Sequence, residues 1–305
     1  MTKAVVIIPI YHPDQKFCEL LDALKQQTDI EFDVYIVDSG SDQTLYEKHL
    51  EGLTYRIEGT TPQEFNHGGT RQKAAEACET YSFLIYMTQD AVPTDKNSLS
   101  RLLSVFNDEK TGCAYGRQLP YPGAGLWGAH ARLFNYPAES QVKTLADAKR
   151  LGIKAAFISD TFAAYRTSAL KSIGGFPRNV ILSEDTYVAA KMLLAGWKSV
   201  YCAEAAVYHS HDYSIWQEFR RCFDTGVFHA REPWIREKFG QAESEGKKFV
   251  LSELRYLLHH NPLLIPSMVL RDGMKFLGYR IGIAESHLPA KIKKWISMNQ
   301  SYWSE

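Results

Sequence analysis

The chain has 305 residues, of which 45% are apolar, and its 35 basic side chains balance 35 acidic ones. This length and composition exclude disordered and collagen-like proteins and allow one large α/β core with an additional helical region. The zero net charge gives no general electrostatic reason to expect a nucleic-acid partner.

Neither a secretion signal nor a membrane-spanning helix is expected from the sequence. The N-terminal apolar run ends at Pro9 and is too short for a signal peptide. The most apolar later stretch, residues 262–282, is interrupted by charges, so it suits a membrane surface and not a span. Five scattered cysteines without a CxxC pair fit reduced thiols better than disulfides or a zinc site. Together these features predict a cytoplasmic protein.

Apolar runs alternate with helix-like segments from residue 3 to about residue 116. The runs typical of strands are AVVIIPI, FDVYIVD, YRIEG and SFLIYM, and the helix-like segments include FCELLDALKQQ and HGGTRQKAAEACE. In the first helix-like segment Phe17, Leu20 and Leu24 recur at helical spacing, which gives it one buried face. The alternation predicts βαβ units and an α/β fold with a mostly parallel sheet.

The second half of the chain is less regular. Between residues 115 and 159 a proline- and glycine-rich passage predicts a loop-rich insertion with one polar helix around residues 144–151. A helix follows Glu184, with Ser183 as a candidate N-cap and Gly196 as a candidate C-cap. From about Trp216 the chain becomes helical, and residues 246–305 hold nine Lys or Arg against four Asp or Glu. We therefore divide the chain into a domain at 1–230 and a helical region at 231–305 that contacts a membrane surface or a second copy.

Acidic residues stand where a ligand would meet the sheet. Asp38 ends the second predicted strand, Asp90 follows a later one, and Glu184 and Asp185 begin a helix. In open α/β sheets the ligand crevice lies beyond the carboxyl ends of the strands. The pattern predicts an enzyme that handles a nucleotide and a metal. The alternative is that these acids cap the turn and the helix that they precede.

Two histidines near the end of the last predicted strand are candidate metal ligands. His209 and His211 flank one residue, so in an extended segment their side chains point the same way. Imidazole suits Mn better than Mg, and a divalent ion that bridges a diphosphate needs only one or two protein carboxylates. Together with Asp90 the histidines predict a Mg or Mn site, the alternative being a polar loop that packs on aromatic side chains.

The combination of these motifs resembles a known family. A strand that ends in Pro9-x-Tyr11, a second that ends in Val-Asp-x-x-Ser at Asp38, and a later acidic motif are similar to the family 2 inverting glycosyltransferases of the GT-A fold. The segments EFNHGGTRQKAAE, TQDAVP and SEDTYVAAKMLLAGW resemble the bacterial rhamnosyltransferase group, and the similarity covers residues 3–230. The fold implied is a Rossmann-like, mostly parallel sheet with flanking helices, followed by a C-terminal helical region.

The resemblance also implies roles for individual residues. Asp185 would be the general base with Glu184 beside it, and Asp160 and Trp127 would lie on the acceptor side. Gln89 stands where most members carry an aspartate, which leaves Asp90 as the hard anionic metal ligand, helped by the two histidines. The residues implied to contact the donor are Pro9, Tyr11, Asp38, Asn66, His67, Gly68, Gly69, Arg71 and Gln89.

The activity that the resemblance implies is transfer of L-rhamnose from dTDP-β-L-rhamnose to a saccharide acceptor, lipid-linked at the cytoplasmic membrane face, in synthesis of O-antigen lipopolysaccharide or a related polysaccharide. The alternatives are a UDP-sugar donor and a non-catalytic carbohydrate-binding protein on the same fold. A sugar nucleotidyltransferase is disfavoured because its GGTR-like motif would directly follow the first strand, whereas here it lies about sixty positions later. A dehydrogenase is disfavoured because no GxGxxG follows that strand.

Overall fold

The computed structural model describes residues 4–62, 64–240 and 243–303. All the strands in these ranges belong to one sheet. The strands are β1 (Ala4–Ile10), β2 (Phe32–Asp38), β3 (Tyr55–Gly59), β4 (Phe83–Met87), β5 (Val92–Pro93), β6 (Thr111–Leu119), β7 (Gln141–Lys143), β8 (Phe162–Arg166) and β9 (Lys198–Tyr208).

Helices cover both faces of the sheet and make up the C-terminal part of the chain. They are α1 (Gln15–Lys25), α2 (His67–Ala77), α3 (Ser98–Ser104), α4 (Leu126–Asn135), α5 (Ala148–Leu151), α6 (Thr167–Ser172), α7 (Glu184–Leu194), α8 (Ile215–Arg231), α9 (Pro233–Phe239), α10 (Glu243–His260), α11 (Ile265–Ile283) and α12 (Ala290–Ile296). Short 3-10 turns connect several of them.

The sheet has the strand order β3-β2-β1-β4-β8-β6-β9-β5, with β7 paired to β9. The four strands β3, β2, β1 and β4 are parallel to one another, as the βαβ pattern predicts, and β6 is parallel to β9. Antiparallel pairings of β8 with β4 and β6, and of β9 with β5 and β7, make the other half mixed. In the register of the first pair Ile10 lies opposite Asp38, so the carboxyl ends of β1 and β2 meet at one edge.

Both faces of the sheet are buried. Along β1, Val6 and Ile8 join the apolar cluster under α1 and α3, while Val5 and Ile7 join the cluster under α2 and α7. This two-residue alternation between two covered faces explains why the strand is apolar throughout. The α/β fold predicted from the alternating pattern is confirmed.

The C-terminal helices pack on the sheet domain through a third apolar cluster. This cluster joins residues 155–193 to side chains of α8, α9 and α12. Helices α8 and α11 approach closely because their contact is made by glycines: a Cβ built on Gly282 would lie 2.1 Å from the Phe223 carbonyl oxygen.

The boundary that we place at residue 230 falls at the last turn of α8, so the division into two regions stays a prediction. Among the described helices none is long and apolar enough to cross a bilayer.

Two local expectations differ from the structure. The passage predicted to be loop-rich contains α4, whose start is capped from outside the helix, since the Asp212 carboxylate accepts the N–H groups of Gly125 and Gly128. Sequence near α4 does not show this distant cap. Ser183 precedes α7 but makes no side-chain cap, because it has a left-handed backbone with φ of 62°.

Candidate active site

Three side chains that could hold a metal ion meet beyond the carboxyl ends of β4 and β9. Asp90 Oδ2 lies 3.5 Å from His209 Nε2 and 3.4 Å from His211 Nε2. The ligand atoms of the three residues all lie within 4.8 Å of one another. The prediction that both histidines point the same way is therefore confirmed, and they point at Asp90.

The tautomer of His209 is set by a hydrogen bond behind it. His209 Nδ1 lies 2.9 Å from Gln118 Oε1, and the amide nitrogen of Gln118 donates to Ser159 Oγ at 3.0 Å. Because the amide oxygen can only accept, His209 carries its proton on Nδ1 and turns the lone pair of Nε2 towards Asp90. Gln118 is buried and the sequence did not single it out.

The electrostatics of the cluster favour neutral imidazoles. Burial lowers the pKa of His209 well below its ordinary value, and the positive charges of Arg132 and Arg221 lower it further. Burial also lowers the pKa of His211, against the opposing effect of Asp90. Neutral imidazole is the form that binds metals, so one carboxylate and two imidazoles with converging lone pairs fit a divalent cation such as Mn.

Behind the pocket wall, one buried arginine holds two acids. Arg71 Nε lies 2.9 Å from Asp160 Oδ2, and its Nη1 lies 2.9 Å from Glu184 Oε1. All three side chains are almost fully buried. Burial raises the pKa of Glu184, but the charges of Arg71 and His67 outweigh that effect and leave it lowered. The Glu184 carboxylate is therefore ionised and occupied by Arg71.

Asp185 differs from the adjacent Glu184 in burial, in ion pairing and in the direction of its pKa shift. It is half-buried, lines the pocket and forms no ion pair with a described residue. Its Oδ1 accepts the N–H of Thr186 at 2.6 Å, and its Oδ2 accepts that of Asp160 at 3.3 Å. Burial and the negative charge of Glu184 raise the pKa of Asp185 to about 6. A carboxylate of this basicity, open to a pocket, suits a general base.

A pocket of about 320 Å³ joins the metal cluster to Asp185. Two arginines also line it: Arg132 of α4 and Arg221 of α8. Tyr213 stacks on His211 with ring centroids 5.3 Å apart, and the Arg221 guanidinium lies 5.8 Å from the Tyr213 ring. The candidate metal cluster, the Asp185 carboxylate and two guanidinium groups therefore surround one cavity.

The strand-end loops are connected by Gln89. The backbone N–H of Tyr11 donates to Gln89 Oε1 at 2.8 Å, and Gln89 Nε2 donates back to the Tyr11 carbonyl at 3.2 Å. Asp38 is buried, and its oxygens accept the N–H groups of Gly40 and Ser41 and the hydroxyl of Tyr46. Asp38 thus caps its own turn, as in the alternative interpretation, and its contact with a nucleotide base stays a prediction.

The FNHGGTR segment is used largely for internal packing. Asn66 caps α2 by accepting the N–H of Gly69 at 2.9 Å. A Cβ on Gly68 would lie 1.9 Å from the Pro177 carbonyl oxygen, so this glycine permits a close approach of backbone to backbone and not of backbone to ligand. His67 Nε2 lies 3.1 Å from Asn299 Oδ1 in the C-terminal segment. The donor contacts that the resemblance implies for this segment are not tested by these internal contacts and stay a prediction.

The two predicted acceptor residues do not line the pocket. Asp160 is enclosed by Arg71 and by the hydroxyl of Tyr165, which donates to Asp160 Oδ1 at 2.5 Å. Trp127 lies beneath the Arg271 guanidinium at 4.7 Å. Ser159 and Thr161, on either side of Asp160, do face the cavity. A contact of Asp160 with an acceptor would require its carboxylate to leave Arg71.

Comparisons with known proteins give a consistent result. A family model described as Glycosyl transferase family 2 matches residues 5–174. The chain is 44% identical over 306 aligned positions to the O-antigen chain rhamnosyltransferase WbaN of Salmonella anatum, covering 100% of this chain and 96% of that protein. It is 43% identical to the O-antigen chain rhamnosyltransferase RfbN of Salmonella typhimurium (strain LT2), covering 99% and 96%.

Solved structures share the fold at much lower identity. The mannosyltransferase PcManGT from Pyrobaculum calidifontis, in complex with GDP-Man and Mn2+, superposes with a TM-score of 0.58 at 18% identity, covering 98% of this chain and 84% of that one. The S. aureus TarS 1-349 complex with UDP-GlcNAc gives 0.54 at 20% identity, covering 93% and 91%. Identities this low indicate a common architecture and nothing about substrates.

Proposed function

The chain belongs to glycosyl transferase family 2, and we propose on that basis that it transfers L-rhamnose from dTDP-β-L-rhamnose to a saccharide acceptor with inversion at the anomeric carbon. The names of the two full-length relatives support rhamnosyl transfer in O-antigen synthesis. The pocket that joins a metal-ligand cluster to a half-buried carboxylate supports a nucleotide-sugar transferase.

The single observation that carries the chemistry is the contrast between two neighbouring acids. Glu184 is neutralised by Arg71, whereas Asp185 faces the pocket with its pKa raised to about 6. In the proposed reaction the acceptor hydroxyl oxygen bonds to the anomeric carbon and its proton passes to Asp185. The bond from that carbon to the diphosphate breaks on the opposite side, and the diphosphate leaves with the bonding electrons. One displacement of this kind inverts the anomeric centre.

The cation that fits the cluster is Mn or Mg, held by Asp90, His209 and His211. When bound, such an ion neutralises negative charge on the leaving diphosphate. Gln118 fixes the ring of His209, and Gln89 holds the loop after β1 against the loop that carries Asp90. These residues position the ligands without contacting the reacting atoms.

A direct assay tests the function. Purified protein is incubated with dTDP-rhamnose, Mn and a lipid-linked saccharide, and the anomeric configuration of the product is read by NMR. Asp185→Asn keeps the shape of the side chain and removes its basicity, so the turnover number should fall by about 100- to 10,000-fold. Glu184→Gln is the matched neighbour, and its main effect should be on stability. If Asp185→Asn and Glu184→Gln are equally stable and lose turnover equally, Asp185 is not the general base.

The donor nucleotide is tested separately. Calorimetric titration with dTDP and UDP, each with Mn, Mg or EDTA, should show metal-dependent binding that favours dTDP. Binding of UDP alone would replace the proposed donor by a UDP-sugar. A protein that binds neither nucleotide, and turns over neither sugar, would be the non-catalytic carbohydrate-binding alternative.

Peripheral contact with an anionic membrane is proposed for the C-terminal helices. Val269 and Phe276 stand two turns apart on α11 and are both exposed, and exposed Trp295 accompanies Lys291 on α12. Exposed apolar and basic groups suit an anionic lipid surface, where each Lys or Arg contributes about 1 kcal/mol. Flotation with anionic and neutral vesicles tests this. Phe276→Ser should reduce flotation, whereas Leu145→Ser, another exposed apolar residue, should not.

If both variants float like wild type, the membrane contact proposed for Phe276 is wrong. If the protein sediments as a dimer that Phe276→Ser dissociates, the exposed helices form an oligomer interface instead. Analytical ultracentrifugation without lipid separates these two outcomes.

A further inference from the structure

Two guanidinium groups in the pocket have no carboxylate partner. Arg132 and Arg221 line the cavity, and no ion pair joins either of them to an acid in the described ranges. By contrast, Arg71 contacts Asp160 and Glu184, and Arg271 contacts Glu218 at 3.0 Å. The arginines next to this pocket are therefore of two kinds: Arg71 and Arg271 are paired with acids inside the protein, whereas half-buried Arg132 and exposed Arg221 are not.

Arg132 is the more constrained of the unpaired two. Its Nε atom is buried and has no hydrogen-bond partner, and its guanidinium lies 6.0 Å from the ring of Tyr136. Burial lowers the pKa of Arg132, and the nearby charge of Arg221 lowers it further, although a guanidinium stays protonated at neutral pH. A partly buried, unpaired cation costs free energy unless an anion accompanies it.

The position of the two arginines identifies the kind of anion. Both line the cavity that Asp90, His209, His211 and Asp185 also line. The ring of Tyr213 contacts the Arg221 guanidinium at 5.8 Å and stacks on His211 at 5.3 Å. An anion that contacts both arginines therefore lies in the cavity that holds the cluster and Asp185. A planar fork of N–H donors matches phosphate oxygens, and a diphosphate has enough oxygens for a metal and two arginines at once.

We propose that Arg132 and Arg221 bind the diphosphate of the nucleotide-sugar donor and stabilise its negative charge as it leaves. This inference rests on the proposed function and extends it, because it names the residues that contact the donor's diphosphate, whereas the resemblance implied a donor contact for Arg71. Arg71 is occupied by two acids inside the protein, whereas the pocket arginines are free to contact a ligand.

Calorimetry with dTDP, UDP and inorganic pyrophosphate, in Mn and in EDTA, tests the proposal. The variants are Arg132→Gln, Arg221→Gln and the charge-preserving Arg132→Lys, with Arg150→Gln as an exposed control on α5 that pairs with Asp147. Each glutamine variant in the pocket should bind dTDP about 10- to 100-fold more weakly, the range expected for a charge-assisted hydrogen bond. Arg132→Lys should recover part of that loss, and Arg150→Gln should bind like wild type.

The loss should also appear in EDTA, since it arises from the arginines and not from the ion. Thermal melting shows whether each variant is folded. If Arg132→Gln does not fold, Arg132→Lys still tests the proposal. Turnover should fall further than dTDP affinity, because charge on the diphosphate increases as the bond breaks.

The outcomes separate this inference from the proposed function. If wild type binds dTDP and all the folded variants bind it equally, the arginine proposal is wrong while the donor stands. If the variants lose pyrophosphate but keep dTDP, the arginines do not hold the diphosphate of the donor, so the arginine proposal is wrong while the donor stands. If wild type binds pyrophosphate but neither nucleotide, the proposed donor is wrong, and the effect of the variants on pyrophosphate alone decides the role of the arginines.

Discussion

Replacing Arg71 by glutamine should destabilise the protein strongly, and more so at high pH. In the described part of the chain, Arg71 is the one cation that forms ion pairs with the buried carboxyl groups of Asp160 and Glu184. The negative charge of Asp185, the residue after Glu184, also raises the pKa of Arg71. Without Arg71, three neighbouring carboxyl groups would share a buried site with no guanidinium. Burial and the two other acids already raise the pKa of Asp160 while Arg71 is present.

The size of the effect follows from the contacts. At 2.9 Å and an effective dielectric constant of about 20, the ion pair of Arg71 with the ionised Glu184 carboxylate contributes about 6 kcal/mol of Coulomb energy before desolvation is subtracted. Burial raises the pKa of Asp160 to about 8, so its contact with Arg71 contributes less at neutral pH. Removing one partner of a buried pair costs about 3–5 kcal/mol net. With an unfolding entropy of about 2.1 cal/mol/K per residue, this corresponds to a fall in Tm of about 5–8 °C.

The pH dependence has a definite sign. Loss of Arg71 raises the folded-state pKa values of the carboxyl groups above their unfolded values, so the variant is least affected at low pH, where the groups are protonated. The deficit grows as pH rises through the raised pKa values. Differential scanning calorimetry at pH 5 and pH 8 should therefore show a larger loss of Tm at pH 8.

Two further variants make the comparison specific. Arg101→Gln removes an exposed arginine paired with Asp95 and should change stability by about 1 kcal/mol or less. Glu184→Gln added to Arg71→Gln removes one uncompensated charge and should restore part of the stability. An Arg71→Gln protein that melts within about 1 °C of wild type at pH 8 would refute the account of Arg71 as a buried counter-ion.

Three other predictions follow from the site and its supports. The rate should rise with pH through an apparent pKa of about 6 as Asp185 loses its proton, measured as a pH profile of kcat/KM; a flat profile from pH 5 to 8 would contradict this. Gln118→Leu should weaken Mn binding about 10- to 100-fold by releasing His209, measured by calorimetry, and unchanged affinity would count against the hydrogen bond. Gly68→Ala should cost about 1–3 kcal/mol of stability, measured by denaturant unfolding, whereas Gly69→Ala, with 3.4 Å of clearance, should cost less.

Much of the fold was predictable because local patterns carry it. The apolar runs of β1, β2 and β4 are buried on both faces, and the spacing of Phe17, Leu20 and Leu24 identifies the inner face of α1. The mixed half of the sheet was not predictable, because antiparallel pairing of β8 between β4 and β6 depends on contacts distant in sequence. The start of α4 was missed for the same reason, since its capping carboxylate comes from Asp212.

For the site, the sequence by itself determined which residues have the right chemistry. The acid at Asp90, the histidine spacing at His209 and His211, and the acidic pair at Glu184 and Asp185 are visible without a structure, because local geometry alone aligns residues two apart in an extended segment.

Only the tertiary structure decided which of these groups are available. Glu184 and Arg71 are far apart in sequence but neutralise each other inside the protein, which leaves Asp185 as the carboxylate facing the cavity. Arg132 and Arg221 belong to helices with no shared motif, and folding brings both to the same pocket. Whether a charged side chain serves the interior or a ligand depends on the partners that distant segments supply, and this information is absent from local sequence.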